Sequence, residues 1–365
     1  MAALVGELVD VLVAGGGPAG LSVAIGAAAR GFRTVLLERA AGVPDKACGE
    51  GLMPAGLREL EALGALSLID ARDRAPFRGI RYAQEDGSSV EGRFSGGEGM
   101  GIRRTALSAA LASRAVSAGA ELRRGSVRAA RAVGDAVVVD TDAGELRARL
   151  LVAADGLHSP LRRAAGLDVP QGARARRRFG LRRHFALAPW TDLVEVHWSA
   201  GVEAYVTPIA GDLVNVAFLW SGPGKTFDDH LRSFPLLEDR LRGATAVSES
   251  RGAGPLLQRV RTRGGERLAL VGDAAGYVDA ITGQGLSLAF ASAALLVQAL
   301  PQDLSQDLAP ALRRYHRSLR GRWLRYAVPA QALLALARRP ALRRRALHLA
   351  ARFPSLFRAL LGSVG

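Results

Sequence analysis

The stretch LVDVLVAGGGPAGLSVAIGAAARGFRTVLLERA, residues 8–40, decides the fold class. Residues 9–14 are a short aliphatic run that is typical of a buried strand. Gly15, Gly17 and Gly20 then follow the spacing G-x-G-x-x-G, and the Ala- and Gly-rich residues 18–30 predict a helix that can lie close to a sheet. Residues 33–38 repeat the strand pattern. The stretch therefore predicts a strand–helix–strand unit that binds a dinucleotide.

Each part of this unit suits a dinucleotide. The glycines allow a tight turn and a close approach of the backbone to a pyrophosphate at the N-terminus of the helix, where Pro18 and Ala19 lie. Glu38, which precedes Arg39, comes 18 residues after Gly20 and can accept a hydrogen bond from a ribose 2′-hydroxyl. Its charge would repel a 2′-phosphate. The unit thus favours NAD or FAD over NADP.

Composition excludes several classes of protein. The length of 365 residues suits two closely packed parts, and 49% hydrophobic residues supply a core. Cys48 is the only cysteine, which excludes an internal disulfide and a four-cysteine zinc site. The histidines show no H-x-x-x-H spacing, so we predict no metal. The first ten residues lack the pattern of a secretory leader, and no clean apolar run reaches bilayer length, so we expect a cytoplasmic protein.

Basic charge is concentrated at the C-terminal end. Residues 301–365 contain thirteen Arg and two Asp, within a chain whose net charge is +15. We predict a helical Arg-rich region in which Pro329, Pro340 and Pro354 separate three short helices. Two interpretations stay open: the arginines lie on solvated helix faces, or they hold the protein at the anionic inner face of a membrane. Nucleic acid is disfavoured, because no known nucleic-acid-binding motif accompanies the charge.

The middle of the chain contains strand-rich segments that predict a second domain beside the nucleotide-binding one. Residues 77–94 predict a hairpin, and residues 177–220 predict a separate antiparallel sheet. The glycine-dense residues 96–101 predict a loop, because no strand–helix context surrounds them. The predicted organisation is a nucleotide-binding domain at 1–75, 95–175 and 264–300, a substrate domain at 76–94 and 176–263, and the helical region 301–365.

Three segments together resemble one family. GGGPAG…E (15–38), ADGLHSPLRR (154–163) and LVGDAAGYVDAITGQG (270–285) match the order and spacing of the FAD-dependent aromatic hydroxylase superfamily, over residues 8–300. The resemblance implies an α/β fold: a Rossmann-like FAD-binding domain with an inserted antiparallel-sheet substrate domain, followed here by a helical C-terminal tail. It also implies one non-covalent FAD and NAD(P)H as a transient electron donor.

The resemblance assigns further cofactor contacts. Arg103 matches the arginine that opens the R-x-x-L helix of the family and reaches FAD, although the adjacent arginine leaves the register open by one residue. Asp155 and Gly156 match the Asp-Gly motif, and Asp273 matches the acid near the flavin ribityl chain. The last motif supplies the amides that stabilise a reduced, anionic flavin, and its residues here are Gly283, Gly285 and Leu286.

The segment CGEGL, residues 48–52, resembles the Cys-Gly motif of the geranylgeranyl reductase branch. We predict that Cys48 lies in a loop beside the flavin or the substrate; the competing interpretation is a small buried hydrophobic residue. A thiolate nucleophile is disfavoured. Glu50 is a candidate for orienting a proton or a hydroxyl group. Asp279–Ala280 stands where many hydroxylases have proline, which favours the same branch.

The predicted activity is monooxygenation of a lipophilic aromatic, quinol or isoprenoid substrate through a flavin hydroperoxide. The alternative is a geranylgeranyl-reductase-like reduction of isoprenoid double bonds, and a non-catalytic flavoprotein is less favoured. Tyr205 and Pro208 are what remains of the Tyr-x-Trp-Phe-Pro substrate motif of the reductase branch. With Phe218 and Trp220 they form a predicted apolar substrate wall; the competing interpretation is a core strand.

Overall fold

The strand–helix–strand unit at residues 8–40 forms as predicted in the computed structural model, which describes residues 8–170, 172 and 177–353. It consists of β1 (Leu8–Ala14), α1 (Pro18–Ala29) and β2 (Thr34–Glu38). The two strands run parallel. The aliphatic side chains of β1 are almost all buried, as expected for a strand in the middle of a parallel sheet.

The other elements follow in chain order within the described residues. The further strands are β3 (Gly51–Leu52), β4 (Arg74–Phe77), β5 (Gly79–Gln84), β6 (Ser89–Arg93), β7 (Gly99–Ile102), β8 (Glu121–Arg124), β9 (Val127–Val133), β10 (Ala136–Thr141), β11 (Gly144–Ala153), β12 (Arg178–Ala186), β13 (Val194–Ser199), β14 (Val202–Ala210), β15 (Leu213–Ser221), β16 (Thr245–Ala246), β17 (Arg251–Ala253), β18 (Gly264–Gly265) and β19 (Leu268–Leu270). The further helices are α2 (Pro54–Ala62), α3 (Arg104–Ser117), α4 (Pro160–Ala164), α5 (Phe227–Leu231), α6 (Pro235–Arg240), α7 (Gly285–Ala299), α8 (Ala309–Ala337) and α9 (Pro340–Arg352). Short 3₁₀ turns lie at Leu66–Leu68, Ala71–Asp73 and Gly272–Ala275.

The main sheet has the strand order β18-β19-β11-β1-β2-β8, and β10 and β9 extend it from β11. The strands from β19 to β8 in this order are parallel. Helix α1 packs against α3 and α7. A Cβ added at Gly26 of α1 would lie 3.1 Å from a methyl group of Val297 on α7, so the small residues of α1 let the two helices approach closely. This part confirms the predicted Rossmann-like fold.

The second sheet has the order β16-β12-β15-β14-β13-β5-β6. Its neighbours are antiparallel except for β13 and β5. The predicted hairpin at 77–94 supplies β5 and β6, with Tyr82 opposite Val90. Helices α5 and α6 cover one face of this sheet with an aromatic cluster. The other face packs against the small sheet formed by β3, β4 and β7 and against α8 and α9.

A small sheet of β3, β7 and β4 joins the two larger sheets. The sequence predicts a loop at residues 96–101, but Gly99–Ile102 forms β7. Strand β7 can lie on β14 only because Gly101 has no side chain: a Cβ there would coincide with the carbonyl oxygen of Pro208. Neither backbone can yield at this contact, so the glycine sets how closely the two parts dock.

The prediction of three short C-terminal helices is wrong at Pro329, which lies inside the continuous helix α8. Its neighbours Tyr326, Ala327 and Ala330 are buried in one cluster with Val278 and other apolar residues, and this packing offsets the loss of one backbone hydrogen bond.

The predicted break before Pro340 is correct, since α9 begins at that residue. Pro354 and the apolar residues after it lie outside the described residues. In the part of the chain that is described, no helix is both long and apolar enough to cross a bilayer.

Candidate active site

The glycines at residues 15–20, between β1 and the first turn of α1, differ in whether the packing of the protein requires them. A side chain at Gly15 would collide with the carbonyl group of Ala154, and one at Gly20 with the carbonyl oxygen of Gly15. The packing of the protein itself therefore requires both glycines. At Gly17, by contrast, a Cβ would have no described atom within 4 Å. The space beside Gly17 adjoins the N-terminus of α1, where an anion is favoured by the free N–H groups.

Glu38 holds this loop in place. Its carboxylate accepts hydrogen bonds from the backbone N–H of Gly16 at 2.8 Å and of Ala40 at 2.9 Å. The residue is half-buried, whereas Arg39 is exposed. A carboxylate has about four acceptor positions, so Glu38 retains the capacity to accept from a ribose hydroxyl.

Two adjacent arginines stand at the start of α3. Arg103 is half-buried and precedes the helix, and Arg104, its first residue, is 6% exposed. In each side chain Nη1 is buried without a hydrogen-bond partner among the described residues. The Arg104 guanidinium acts electrostatically on Cys48 and on Asp273 and lowers the pKa of each against the larger effect of desolvation. The R-x-x-L spacing also fits Arg104, because Leu107 lies three residues after it. We infer that the family arginine is Arg104, one residue beyond the predicted position.

Asp273 is surrounded by cations. It lies in the 3₁₀ turn after β19 and is half-buried. Desolvation raises the pKa of its carboxyl group, while Arg104, Lys46 and Arg162 lower it in part. Arg162 also donates to the carbonyl oxygens of Ala274 at 3.2 Å and Leu157 at 3.0 Å. Sequence reasoning missed Lys46 and Arg162, although the latter lies within the quoted ADGLHSPLRR segment.

Asp155 and Gly156 lie just after the C-terminal end of β11, next to the glycine loop. The Asp155 Oδ2 atom accepts from the N–H of Leu161 at 3.1 Å, while Oδ1 is buried without a partner in the described part of the chain. Gly156 has φ +86°, a conformation that favours glycine. The predicted pair is thus adjacent to the loop, with one carboxylate oxygen still available.

The last glycine motif forms the start of α7. Gly283 has φ +66° and no described atom within 4 Å of a Cβ built on it, and α7 begins at Gly285. Leu286 is half-buried and packs against the main core. The hydroxyl groups of Thr282 and Ser287 are buried without a described partner. The first N–H groups of α7 are free by the geometry of a helix end, so they suit the negative edge of a reduced flavin.

Arg178 links the loop before Gly283 to the second sheet. Its guanidinium donates to Asp279 at 2.8 Å and to Glu203 at 2.7 Å, and all three side chains are buried. Burial raises the pKa of Glu203, and Arg178 opposes that shift. The hydroxyl group of Tyr326 on α8 donates to the carbonyl oxygen of Asp279 at 2.7 Å. The loop before Gly283 is therefore held from two directions.

The structure separates the predicted substrate residues. The Tyr205 hydroxyl group is 3.3 Å from the carbonyl oxygen of Ile281, in the loop before Gly283. Phe218 pairs with Ala204 across the sheet and so lies on the opposite face from Tyr205. There it contacts Phe227 of α5, with ring centroids 4.8 Å apart.

Trp220 and Pro208 also differ from Tyr205 in their surroundings. The Trp220 ring contacts the His230 ring at a tilt of 45°, with 4.4 Å between centroids, and belongs to the same cluster as Phe218. Pro208 is buried, and its carbonyl oxygen faces Gly101. We therefore keep Tyr205 as the candidate substrate residue and assign Phe218 and Trp220 to the core of the second sheet.

Cys48 lies in the segment between the two parts of the molecule. Its carbonyl oxygen accepts from the side-chain amide of Asn215 at 2.9 Å, and its Sγ accepts from the N–H of Glu50 at 3.3 Å. The residue is half-buried, and desolvation raises the pKa of the thiol. Its electrostatic neighbours include Arg104 and Asp273. The neutral thiol is thus the favoured form, next to the candidate flavin residues.

These features fit FAD. Gly17 leaves open space beside the start of α1, which suits a pyrophosphate. Arg103 and Arg104 each offer a buried Nη1 that has no partner among the described residues. The N-terminus of α7 at Gly285 offers N–H donors that suit a flavin. Within the described residues no group of three or more His, Cys, Asp and Glu is arranged to hold a metal ion.

Comparison with known proteins gives the family. An FAD binding domain family matches residues 8–213. The chain belongs to this family. It is 32% identical over 336 residues to digeranylgeranylglycerophospholipid reductase 1 of Methanopyrus kandleri, covering 84% of each chain. It is 30% identical over 327 residues to 2-heptyl-3-hydroxy-4(1H)-quinolone synthase of Mycobacteroides abscessus, covering 84% of this chain and 85% of that one.

The fold is shared with solved structures. The p-nitrophenol 4-monooxygenase of Pseudomonas putida superposes with a TM-score of 0.82 at 20% identity, covering 98% of this chain and 99% of that one. The protein is thus an FAD-dependent oxidoreductase of the superfamily that contains the flavin monooxygenases and the geranylgeranyl reductases.

Gly17→Val tests the candidate pyrophosphate site beside the N-terminus of α1. Gly17 has φ −76° and ψ 174°, an extended conformation that valine adopts, and the new side chain meets no described atom. We expect a folded but colourless protein, because the valine fills the space for the pyrophosphate. FAD titration followed by flavin fluorescence measures binding, and thermal unfolding of the FAD-free proteins checks the fold. Gly321→Val, at an exposed position of α8 without a described neighbour, is the control and should stay yellow. A yellow Gly17→Val protein would contradict the assignment.

Proposed function

We propose that the protein is an FAD-dependent reductase that hydrogenates carbon–carbon double bonds in an isoprenoid chain carried by a lipid or a quinone. The observation that carries this proposal is the position of the CGEGL segment, whose Cys48 thiol is within electrostatic reach of Arg104 and Asp273. The sequence alone places oxygen transfer first. The order is reversed here because reductases of digeranylgeranylglycerophospholipid match most of the chain, and a menaquinone reductase of Mycolicibacterium smegmatis matches 43% of it.

The chemistry needs a hydride equivalent and a proton. Reduced FAD, supplied with electrons by NAD(P)H, provides the hydride equivalent when it is bound. The chain must then provide the proton and exclude water. Burial raises the pKa values of the Cys48 thiol and the Tyr205 phenol, so both groups keep their protons at neutral pH. Cys48 contacts Asn215 of the second sheet, and Tyr205 of that sheet contacts Ile281 in the loop before α7. Both groups therefore lie where the second sheet meets the candidate flavin site.

A monooxygenase is the second candidate. It is favoured by the 30% identity to the quinolone synthase over 327 residues. The same fold and the same helix N-terminus at α7 would serve both reactions, because each begins with a reduced flavin.

The two reactions differ in their need for oxygen. We expect the chemically reduced holoenzyme, mixed without air with a geranylgeranylated glycerophospholipid or a menaquinone, to reoxidise its flavin and to add two hydrogen atoms per double bond. Mass spectrometry of the lipid measures the product. A product that gains one oxygen atom, and forms only in air, would favour the monooxygenase instead. Gly17→Val is the control without FAD and should yield neither product.

We also propose that α9 touches an anionic membrane surface. It is attached to the second sheet by Leu347, which is buried, and by Arg343, which donates to Gln84 at 2.7 Å and lies over the Trp198 ring. Leu342 and Leu349 on its outward side and Phe353, the residue directly after it, are exposed by 44%, 58% and 49%. The neighbouring Arg344, Arg345 and Arg352 are exposed as well. Exposed apolar residues beside cations suit an anionic lipid surface, where a lipophilic substrate dissolves.

Replacing Leu342, Leu349 and Phe353 by serine tests this contact. We expect the triple variant to bind phosphatidylglycerol vesicles at least about tenfold more weakly, because it no longer inserts apolar area. Sedimentation with anionic and neutral vesicles, at low and high salt, measures binding. Leu236→Ser changes a residue on α6 that is 77% exposed and is the matched control. Equal binding of wild type and triple variant would exclude α9 as the contact.

A further inference from the structure

A buried acid–base pair joins the flavin side of the site to the second sheet. Glu50 Oε2 and His184 Nε2 are 2.5 Å apart, and the two side chains are fully buried, with 0% exposure each. The residues are 134 positions apart in the sequence. Neither takes part in the cofactor contacts described above. A pair so deeply buried is costly to desolvate, so its two partners depend on each other.

Glu50 fixes the segment that contains Cys48. Its second oxygen, Oε1, accepts from the backbone N–H of Arg104 at 2.7 Å, and its own N–H donates to the sulfur of Cys48 at 3.3 Å. Glu50 has φ +58°, in the left-handed region that non-glycine residues seldom adopt. One carboxylate therefore connects the start of α3 with a turn that would otherwise favour glycine.

His184 holds that carboxylate from the second sheet. It lies on β12, and its Nδ1 is 2.8 Å from the hydroxyl group of Ser248. Two residues earlier on the same face, Arg182 pairs with Asp45, five residues before Glu50. Strand β12 thus contacts the segment from Asp45 to Glu50 at both ends.

We propose that Glu50 and His184 are a positioning pair that sets Cys48 and Arg104 against the flavin site and makes their placement depend on the second sheet. The inference concerns the site of the proposed reductase, but it does not depend on which substrate is bound. Without the pair, the left-handed turn at Glu50 loses its support. The thiol and the guanidinium would then move away from Asp273.

Because Cys48 is the only cysteine in the chain, reagent access to the segment at residues 45–50 can be measured directly. A chromogenic aromatic disulfide reagent can modify only Cys48, so its rate of reaction with the FAD-bound protein reports how often the segment opens. His184→Gln keeps a donor near the position of Nε2, whereas His184→Asn keeps one near Nδ1 and loses the contact to Glu50. The two variants have similar polarity and differ in the one interaction under test.

We expect His184→Asn to react at least about tenfold faster than the wild type, which corresponds to about 1.4 kcal/mol of opening free energy. His184→Gln should remain within about threefold of the wild type, because it restores the bond to Glu50. The reduction potential of the bound FAD should shift in His184→Asn and stay in His184→Gln, since the placement of Arg104 changes only in the former.

Two further variants complete the test. His230→Asn removes a buried histidine from the opposite side of the second sheet and should leave the labelling rate within about threefold of the wild type. Glu50→Gly removes the carboxylate at a φ that glycine adopts freely and should accelerate labelling, even if His184→Asn does not fold. A pH series separates access to the thiol from a change in its pKa. Wild-type rates in folded His184→Asn or in Glu50→Gly, or equal acceleration in His230→Asn, would overturn the proposal.

Discussion

The buried guanidinium of Arg178 is the constraint on which the arrangement of the site depends. It lies between two buried carboxylates, Glu203 on the second sheet and Asp279 in the loop before α7. Removal of this cation would leave two desolvated negative charges close together, a change that typically costs about 3–5 kcal/mol. The loop before α7, which we propose binds the flavin, is therefore fixed to the second sheet, and Tyr326 fixes the same loop to α8. The flavin and substrate sides are thus built as one unit.

The buried arginines of this region differ in whether the protein satisfies them. Arg178 and Arg162 have protein partners on their donor groups, and both connect loops. Arg103 and Arg104 each retain a buried Nη1 without a partner among the described residues. An unpaired buried cation is unfavourable unless an anion joins it. The satisfied arginines thus build the site, and we propose that the other two bind the FAD pyrophosphate.

Structure that depends on a short segment could be predicted from the sequence, whereas contacts between residues far apart in the chain could not. The glycine spacing and the run from β1 to β2 are local patterns, so the Rossmann-like sheet could be predicted. The choice between Arg103 and Arg104 stays open in the sequence, because the spacing alone does not show which guanidinium is buried. The partner of Glu50 lies on another sheet and leaves no sequence signal. Alternation along β15 gives two faces but does not show which one packs under α5 and α6, so the sequence leaves Phe218 open between a substrate wall and a core strand. Tertiary packing around Tyr326 likewise overrides the helix-breaking tendency of Pro329.

The structure of the protein crystallised with FAD is the most direct test of this account. FAD should satisfy the buried donors that have no partner among the described residues. We expect a phosphate or ribityl oxygen within hydrogen-bond distance of Arg104 Nη1, the pyrophosphate beside Gly17, and Cys48 next to the flavin ring. An Arg104 side chain paired with a protein group, with FAD bound elsewhere, would contradict it.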